Sequence, residues 1–202
     1  RGWTALHQLT WVRKAAIAGT NNPVPRGSGN MTSLEFARTL IAHGADLNVR
    51  VTTRPPAGIT ALNFIGGTPF LLAARTADAA FMRLLAELGA DPHLTNEDSS
   101  TALMVAAGLG TSSPGEDPGT EAEVIEAVQV TLDLGLDIDA VDDKGETAMH
   151  GAAYKNLPIV VEFLDDKNAK MDIWNRRNKK GSTPYLIAAG YRPGNFKPSV
   201  ET

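Results

Sequence analysis

Cysteine is absent from the 202 residues, which excludes disulfides, thiolate zinc sites and cysteine nucleophiles. The compartment stays open, since reducing and oxidising environments both accept cysteine-free chains. No apolar run approaches the length of about 18 residues that a membrane-spanning helix needs. A starting methionine is also lacking: the chain begins at Arg1, with no charged-then-apolar leader behind it. Arg1 and Thr202 read as cut points in a longer protein, because a helix start follows almost at once at Gly2-Trp3-Thr4 and the last helix pair is cut short. What is present is ordinary for a folded chain, 43% hydrophobic and 21% charged.

Basic residues are scarce in the middle. Residues 61–150 carry 3 basic and 16 acidic side chains, against 7 and 2 in residues 1–60 and 9 and 5 in residues 151–202. A phosphate-backbone binder needs clustered Lys and Arg along its contact face, so this distribution argues against a nucleic-acid partner.

Motifs that carry chemistry are equally scarce, and we expect no catalytic residue, no cofactor and no metal. Asp137 to Ala148 resembles a calcium loop in part, but Val141, Asp142 and Ala148 stand at its positions 5, 6 and 12, where an oxygen ligand, glycine and glutamate are required. Gly108 to Gly115 lacks the Gly-Lys-Ser/Thr ending of a phosphate loop. Gly27-Ser28-Gly29 lacks the span of a nucleophile elbow. Asn30-Met31-Thr32 fits a glycosylation sequon, which has meaning only in a eukaryotic secreted chain. No paired-histidine metal motif occurs.

A repeat dominates the sequence. Thr68-Pro69-Phe70-Leu71-Leu72-Ala73-Ala74 returns 33 residues later as Thr101-Ala102-Leu103-Met104-Val105-Ala106-Ala107. Further copies start at Thr4, Thr147 and Thr183. A second signature keeps phase with the first: Gly44-Ala45-Asp46, Gly89-Ala90-Asp91, Gly135-Leu136-Asp137 and a weaker Asn168-Ala169-Lys170. Thr68 to Gly89 and Thr147 to Asn168 are both 21 residues, and Gly89 to Thr101 and Gly135 to Thr147 are both 12. The large surpluses fall at 19–32, 50–67 and 108–120, segments rich in Gly, Pro, Asn, Ser and Thr that read as loop insertions.

Each unit reads as a helix pair. Ala-Ala pairs allow close approach of the first helices. Phe81, Met82, Leu84, Leu85 and Leu88 keep helical spacing on a second helix, as do Val124, Ile125, Val128 and Leu132, and Ile159, Val160, Phe163 and Leu164. Thr32-Ser33-Leu34-Glu35 and Thr120-Glu121-Ala122-Glu123 fit capping boxes, and Gly44, Gly89 and Gly135 suit helix ends. Such pairs bury their apolar faces only by stacking.

The pattern resembles the ankyrin repeat, whose T-P-L-H-x-A-A and G-A-D signatures cover nearly the whole chain in the same phase. The resemblance implies an all-α solenoid of paired antiparallel helices with hairpin-like connections and three long loop insertions. It would form a single domain with repeats at about 2–65, 66–98, 99–142 and 143–180 and a partial one at 181–202. Insertions of this length are more like those of bacterial ankyrin-repeat proteins, which leans the expected location to export or the periplasm. His7 and His150, at the fourth motif position, are expected to tie their turns to backbone rather than to act as acid or base. Residues 12–32 and 108–120 should emerge on one edge of the stack and 50–67 on the hairpin edge.

The resemblance further implies a non-catalytic module that binds a protein or peptide partner through a concave groove and hairpin rim. Without gaps, Trp11, Arg75 and Tyr154 align at a groove position, Trp3 precedes its threonine, and Trp174 aligns at a hairpin. Large aromatics there suit an interface; the alternative is that neighbouring repeats or insertions cover them. The hairpin rims add an acidic set, Asp142, Asp143 and Glu146, beside a basic set, Arg176, Arg177, Lys179 and Lys180. A partner of mixed charge would use both, unless the two rims pair with each other. The alternatives for function are an accessory domain of a larger enzyme or redox protein, and a spacer without a partner.

Overall fold

A computed structural model describes residues 2–14, 29–54, 61–112, 114–115 and 118–191. Among them are ten helices and no strand: α1 (Ala5–Val12), α2 (Ser33–Ala42), α3 (Pro69–Arg75), α4 (Ala79–Glu87), α5 (Ala102–Ala106), α6 (Glu121–Asp133), α7 (Ala148–Lys155), α8 (Pro158–Asp166), α9 (Met171–Trp174) and α10 (Pro184–Ala188).

Stacking runs in one direction. First helices pack in a row, α1 on α3, α3 on α5, α5 on α7 and α7 on α10, and second helices pack α4 on α6 and α6 on α8. The repeated threonines begin the first row. Thr68, Thr101 and Thr183 accept the backbone N–H three residues on at 3.3 Å each. In the second row the Thr32–Glu35 and Thr120–Glu123 capping boxes form as the sequence predicts, and Asp78 caps α4 by accepting from the Phe81 N–H. Gly89 and Gly135 end their helices at φ 99° and 82°, and Asn168 holds the same place at φ 64°.

The core is continuous along the stack and fully buries Phe70, Phe81, Met82, Leu85, Leu103 and Leu164. Two expectations need correction. Ile159, expected inside α8, is 53% exposed, because it lies in the first turn with no further second helix against it among the described residues. Leu136 stands where Gly-Ala-Asp has alanine, an alignment that leads one to expect only partial burial, yet it is buried in the main core with the larger side chain packed inward.

The connections carry a third periodic feature. Asn96, Asp142 and Asn178 each stand five residues before a motif threonine, and each side-chain Oδ1 accepts two backbone N–H groups, from residues two and four further on, at 2.8–3.1 Å. Asn63 holds the same position in the copy before. Successive turns are laced by backbone bonds: Glu97 to Ile65 O, Asp143 to Asp98 O and Lys179 to Lys144 O, at 2.8–2.9 Å.

The insertions emerge differently from one another. The described ends of the 50–67 insertion meet at the hairpin edge, where the Val51 and Gly67 backbones are joined by a bond of 2.9 Å. Residues 55–60 lie outside the described residues; from Ala61, whose N–H meets Gly110 O at 2.8 Å, the chain runs back across the first helices to the hairpin edge at Gly66 and Gly67. At Gly110, with φ 90°, a Cβ would fall 2.5 Å from that of Leu62, so only glycine permits this approach. Residues 15–28 lie outside the described residues, but Lys14, at the start of that insertion, reaches Glu123 just beyond the end of 108–120 at 2.5 Å. That contact joins the start of the first insertion to α6; the expected emergence of both insertions on one edge falls largely on residues outside those described.

Candidate partner-binding surface

Both motif histidines are buried. His7 Nδ1 accepts the Thr4 N–H at 3.1 Å, so the neutral ring holds its proton on Nε2, which donates to Gly67 O at 3.3 Å. His150 Nδ1 accepts the Thr147 N–H at 3.3 Å. Burial lowers the His7 pKa against the pull of the Gly67 and Val49 carbonyls. It lowers His150 to about 4 against the carbonyls of Ser182 and Arg176. Both rings act as turn ties that stay neutral near pH 7.

The aromatics expected in the groove fall into two groups. Trp3, Trp11 and Arg75 lie under the returning 61–66 segment. Phe64, 4% exposed, has its ring 5.5 Å from Trp3 and is stacked at 6.1 Å on Trp11. The Arg75 guanidinium lies 5.7 Å from the Trp11 ring and 5.3 Å from that of Phe64, and the residue is 5% exposed. Trp3 also donates its indole N–H to Thr53 O at 2.9 Å. The chain's own insertion occupies this part of the first-helix face, joined by Leu62, Val51, Leu71, Leu72 and Val105.

Tyr154 and Trp174 are also engaged. Tyr154, 9% exposed, donates its hydroxyl to Glu146 at 2.7 Å and accepts from Asn178 at 3.1 Å. Trp174, half-buried on α9, donates to Ala169 O at 3.2 Å and packs on the main core. Sequence alignment placed it on the hairpin but did not foresee α9.

The acidic set divides. Asp142 is buried and ties its turn, accepting the Ser100 hydroxyl at 3.1 Å as well as the Lys144 and Glu146 amides. Desolvation, more than the nearby Glu146 charge, raises its pKa against those amide bonds. Glu146 is buried too, held by Tyr154 and Asn178. Only Asp143 of the three faces solvent.

The basic set stays together and outside. Arg176, Arg177, Lys179 and Lys180 are all exposed, and none forms an ion pair among the described residues. The two rims do not pair with each other: Lys144 of the acidic turn bonds Asp98 at 2.6 Å and Asp139 bonds Lys170 at 3.1 Å. Beside the basic turn, Lys170, Met171, Asp172 and Asn175 line an open depression of about 650 Å³. Among the described residues no group of three or more His, Asp or Glu side chains is placed to hold a metal ion, and no helix is long and apolar enough to cross a membrane.

Residues that sequence reasoning missed are Phe64 and Leu62, which cover the N-terminal aromatics, and the turn-forming Asn63, Asn96 and Asn178. The turn residues left a readable signal, since they share the phase of the threonines. Phe64 left none, because its aromatic partners Trp3 and Trp11 are more than fifty residues away.

No family model matches the chain. Curated relatives do. Ankyrin repeat domain-containing protein 63 of Homo sapiens is 30% identical over 129 residues, covering 61% of this chain and 30% of that protein. Rabankyrin-5 of Mus musculus is 24% identical over 117 residues, 48% of this chain and 10% of that one. Serine/threonine-protein kinase 12 of Arabidopsis thaliana is 37% identical over 68 residues, 34% of this chain and 14% of the kinase. The chain spans 30% or less of the length of each of these relatives. Stacked helix pairs, motif phase and these relatives agree: the chain is built of repeats similar to those of ankyrin-repeat proteins.

Proposed function

We propose that this chain is a non-catalytic module that binds a protein or peptide through the hairpin rim of its C-terminal half. The observation that supports it most is the contrast in occupancy: residues 61–66 fill the N-terminal part of the first-helix face, while the turn at 176–180 carries four exposed cations. Asp143 extends this surface onto the preceding turn, and Tyr154 supports it from beneath through Asn178 and Glu146, whereas Trp3, Trp11 and Arg75 belong to the covered N-terminal end. The test is site-specific photo-crosslinking in an extract of the native source. A crosslinker at Lys179 or at Asp143 should capture one common protein, and one at exposed Glu162 on α8 should not. Capture from Glu162 alone would overturn the assignment.

A second reading, an accessory domain of a larger enzyme, is favoured by the kinase match, which covers 14% of that protein. The full-length sequence decides it, through the presence or absence of a catalytic motif beyond these residues.

A further inference from the structure

Resting on that reading, we infer that the element recognised is a short acidic peptide segment, gripped by the guanidinium groups of Arg176 and Arg177 with Lys179 and Lys180 beside them.

The argument starts from the backbone. The turn that carries these side chains is fixed before any ligand arrives: Asn178 holds the Lys180 and Ser182 amides at 3.0 and 2.9 Å, and Lys179 N–H is bound to Lys144 O at 2.8 Å. The side chains are partly oriented too. Arg176 Nε donates to Asp172 O at 2.7 Å, Arg177 Nη1 to Gly181 O at 2.5 Å, and the Lys180 ammonium lies 6.0 Å over the Tyr154 ring. Each guanidinium is therefore anchored at one nitrogen and keeps further N–H donors outward. That geometry suits the two oxygens of a carboxylate, and less ordering is lost on binding than for mobile lysines alone.

The size and surroundings of the patch select the ligand class. Asp143 lies on the adjacent turn, and residues 61–150 carry 16 acidic side chains against 3 basic ones, so a polyanion running along the rim would leave the cations and meet like charge. A nucleic acid or an anionic membrane presents charge over a longer span than this turn can match. A peptide with two or three clustered carboxylates fits within it. The depression over α9 places exposed Met171 as its one apolar lining residue next to the cations, while the Asp172 backbone carbonyl holds Arg176. The preferred segment therefore has an apolar residue beside its acidic cluster.

The experiment uses the purified chain and three fluorescein-labelled probes: a peptide of about 12 residues with clustered Asp and Glu around one Leu, the same peptide with Lys for each acid, and a single-stranded oligonucleotide of equal charge. Fluorescence anisotropy is read at two salt concentrations. The acidic peptide should bind with marked salt dependence and the Lys peptide should not. Arg176→Glu with Arg177→Glu should weaken binding by about tenfold or more, the Gln/Gln pair by less, and Arg83→Glu on the second-helix face should have no effect. Equal or tighter binding of the oligonucleotide would overturn the inference, as would an equal loss with Arg83→Glu. Circular dichroism melting of each variant separates lost binding from lost folding. A partner captured by the Lys179 crosslinker but retained equally by the Glu/Glu variant would sink the acidic-segment inference and leave the rim as the binding surface.

Discussion

The two ends of the stack are built from the same repeat and finish opposite in kind. At the N-terminal end Trp3, Trp11 and Arg75 are roofed by Phe64, and the face has become a second small core. At the C-terminal end Tyr185 takes the place held elsewhere by buried Leu6, Phe70, Leu103 and Met149, and is 73% exposed. The fold alone sets neither outcome. What differs is the described chain packed on each end: residues 61–66 lie over the first, and no described helix follows α10 at the second. An insertion can thus turn recognition positions into core positions without changing the repeat that holds them.

The largest effect should come from removing the roof. Phe64→Ala should cost about 3–5 kcal/mol, the usual loss for a buried aromatic, whereas Tyr185→Ala should stay within about 0.5 kcal/mol. Urea denaturation of both variants checks this, and similar midpoints would erase the contrast between the ends. Leu85→Ala, in the core common to both ends, should cost about 2–5 kcal/mol; an unchanged midpoint would contradict the repeat alignment itself.

The helix pairs, their caps and their stacking order were legible because they depend on neighbours within one 33-residue unit or one unit away. Thr68, Glu35 and Gly89 signal their roles through local hydrogen-bond needs that any copy repeats. The rim was less legible. Asp142 and Glu146 read as a solvated acidic hairpin, yet both turn inward, Asp142 because its turn needs an acceptor for two amides and Glu146 because Tyr154 and Asn178 reach it. The covering of Trp3 and Trp11 was left open for a different reason: contacts between residues 3, 11 and 64 depend on how an irregular segment returns, and periodicity carries no information about that.

An intermediate effect is expected from pH. The folded state holds His150 at about 4, below its ordinary 6.5, so the unfolded chain binds the proton first as pH falls. The stabilisation is therefore complete above about pH 6.5 and is lost progressively toward pH 4, with a slope of up to about 1.4 kcal/mol per pH unit. His7 is shifted in the same direction and adds to the loss from the covered end. His150→Leu, which copies Leu71 and Leu186, should flatten this dependence. Equal slopes for variant and parent between pH 7 and 4 would show that the ring is not the titrating group.

The smallest expected effect sharpens the comparison at the boundary between acidic and basic turns. Asp142 does the work that Asn96 and Asn178 do in the adjoining copies, but as a buried acid near Glu146. Its raised pKa has the opposite sign to the histidines: the folded state favours the protonated acid, so its contribution is best below the ordinary 3.8 and is lost as pH rises through the folded value. Asp142→Asn keeps an oxygen for the Lys144 and Glu146 amides and removes the charge, while Ser100 can turn to accept from the new amide N–H. The variant should be more stable than the parent at pH 7, on the order of 1 kcal/mol, and the gain should vanish below about pH 4. Paired denaturation curves at pH 7 and below 4 measure the difference directly. A loss of stability at pH 7 would mean that the charged carboxylate binds its two amides more strongly than burial penalises it, and the third turn would then differ in kind from its neighbours.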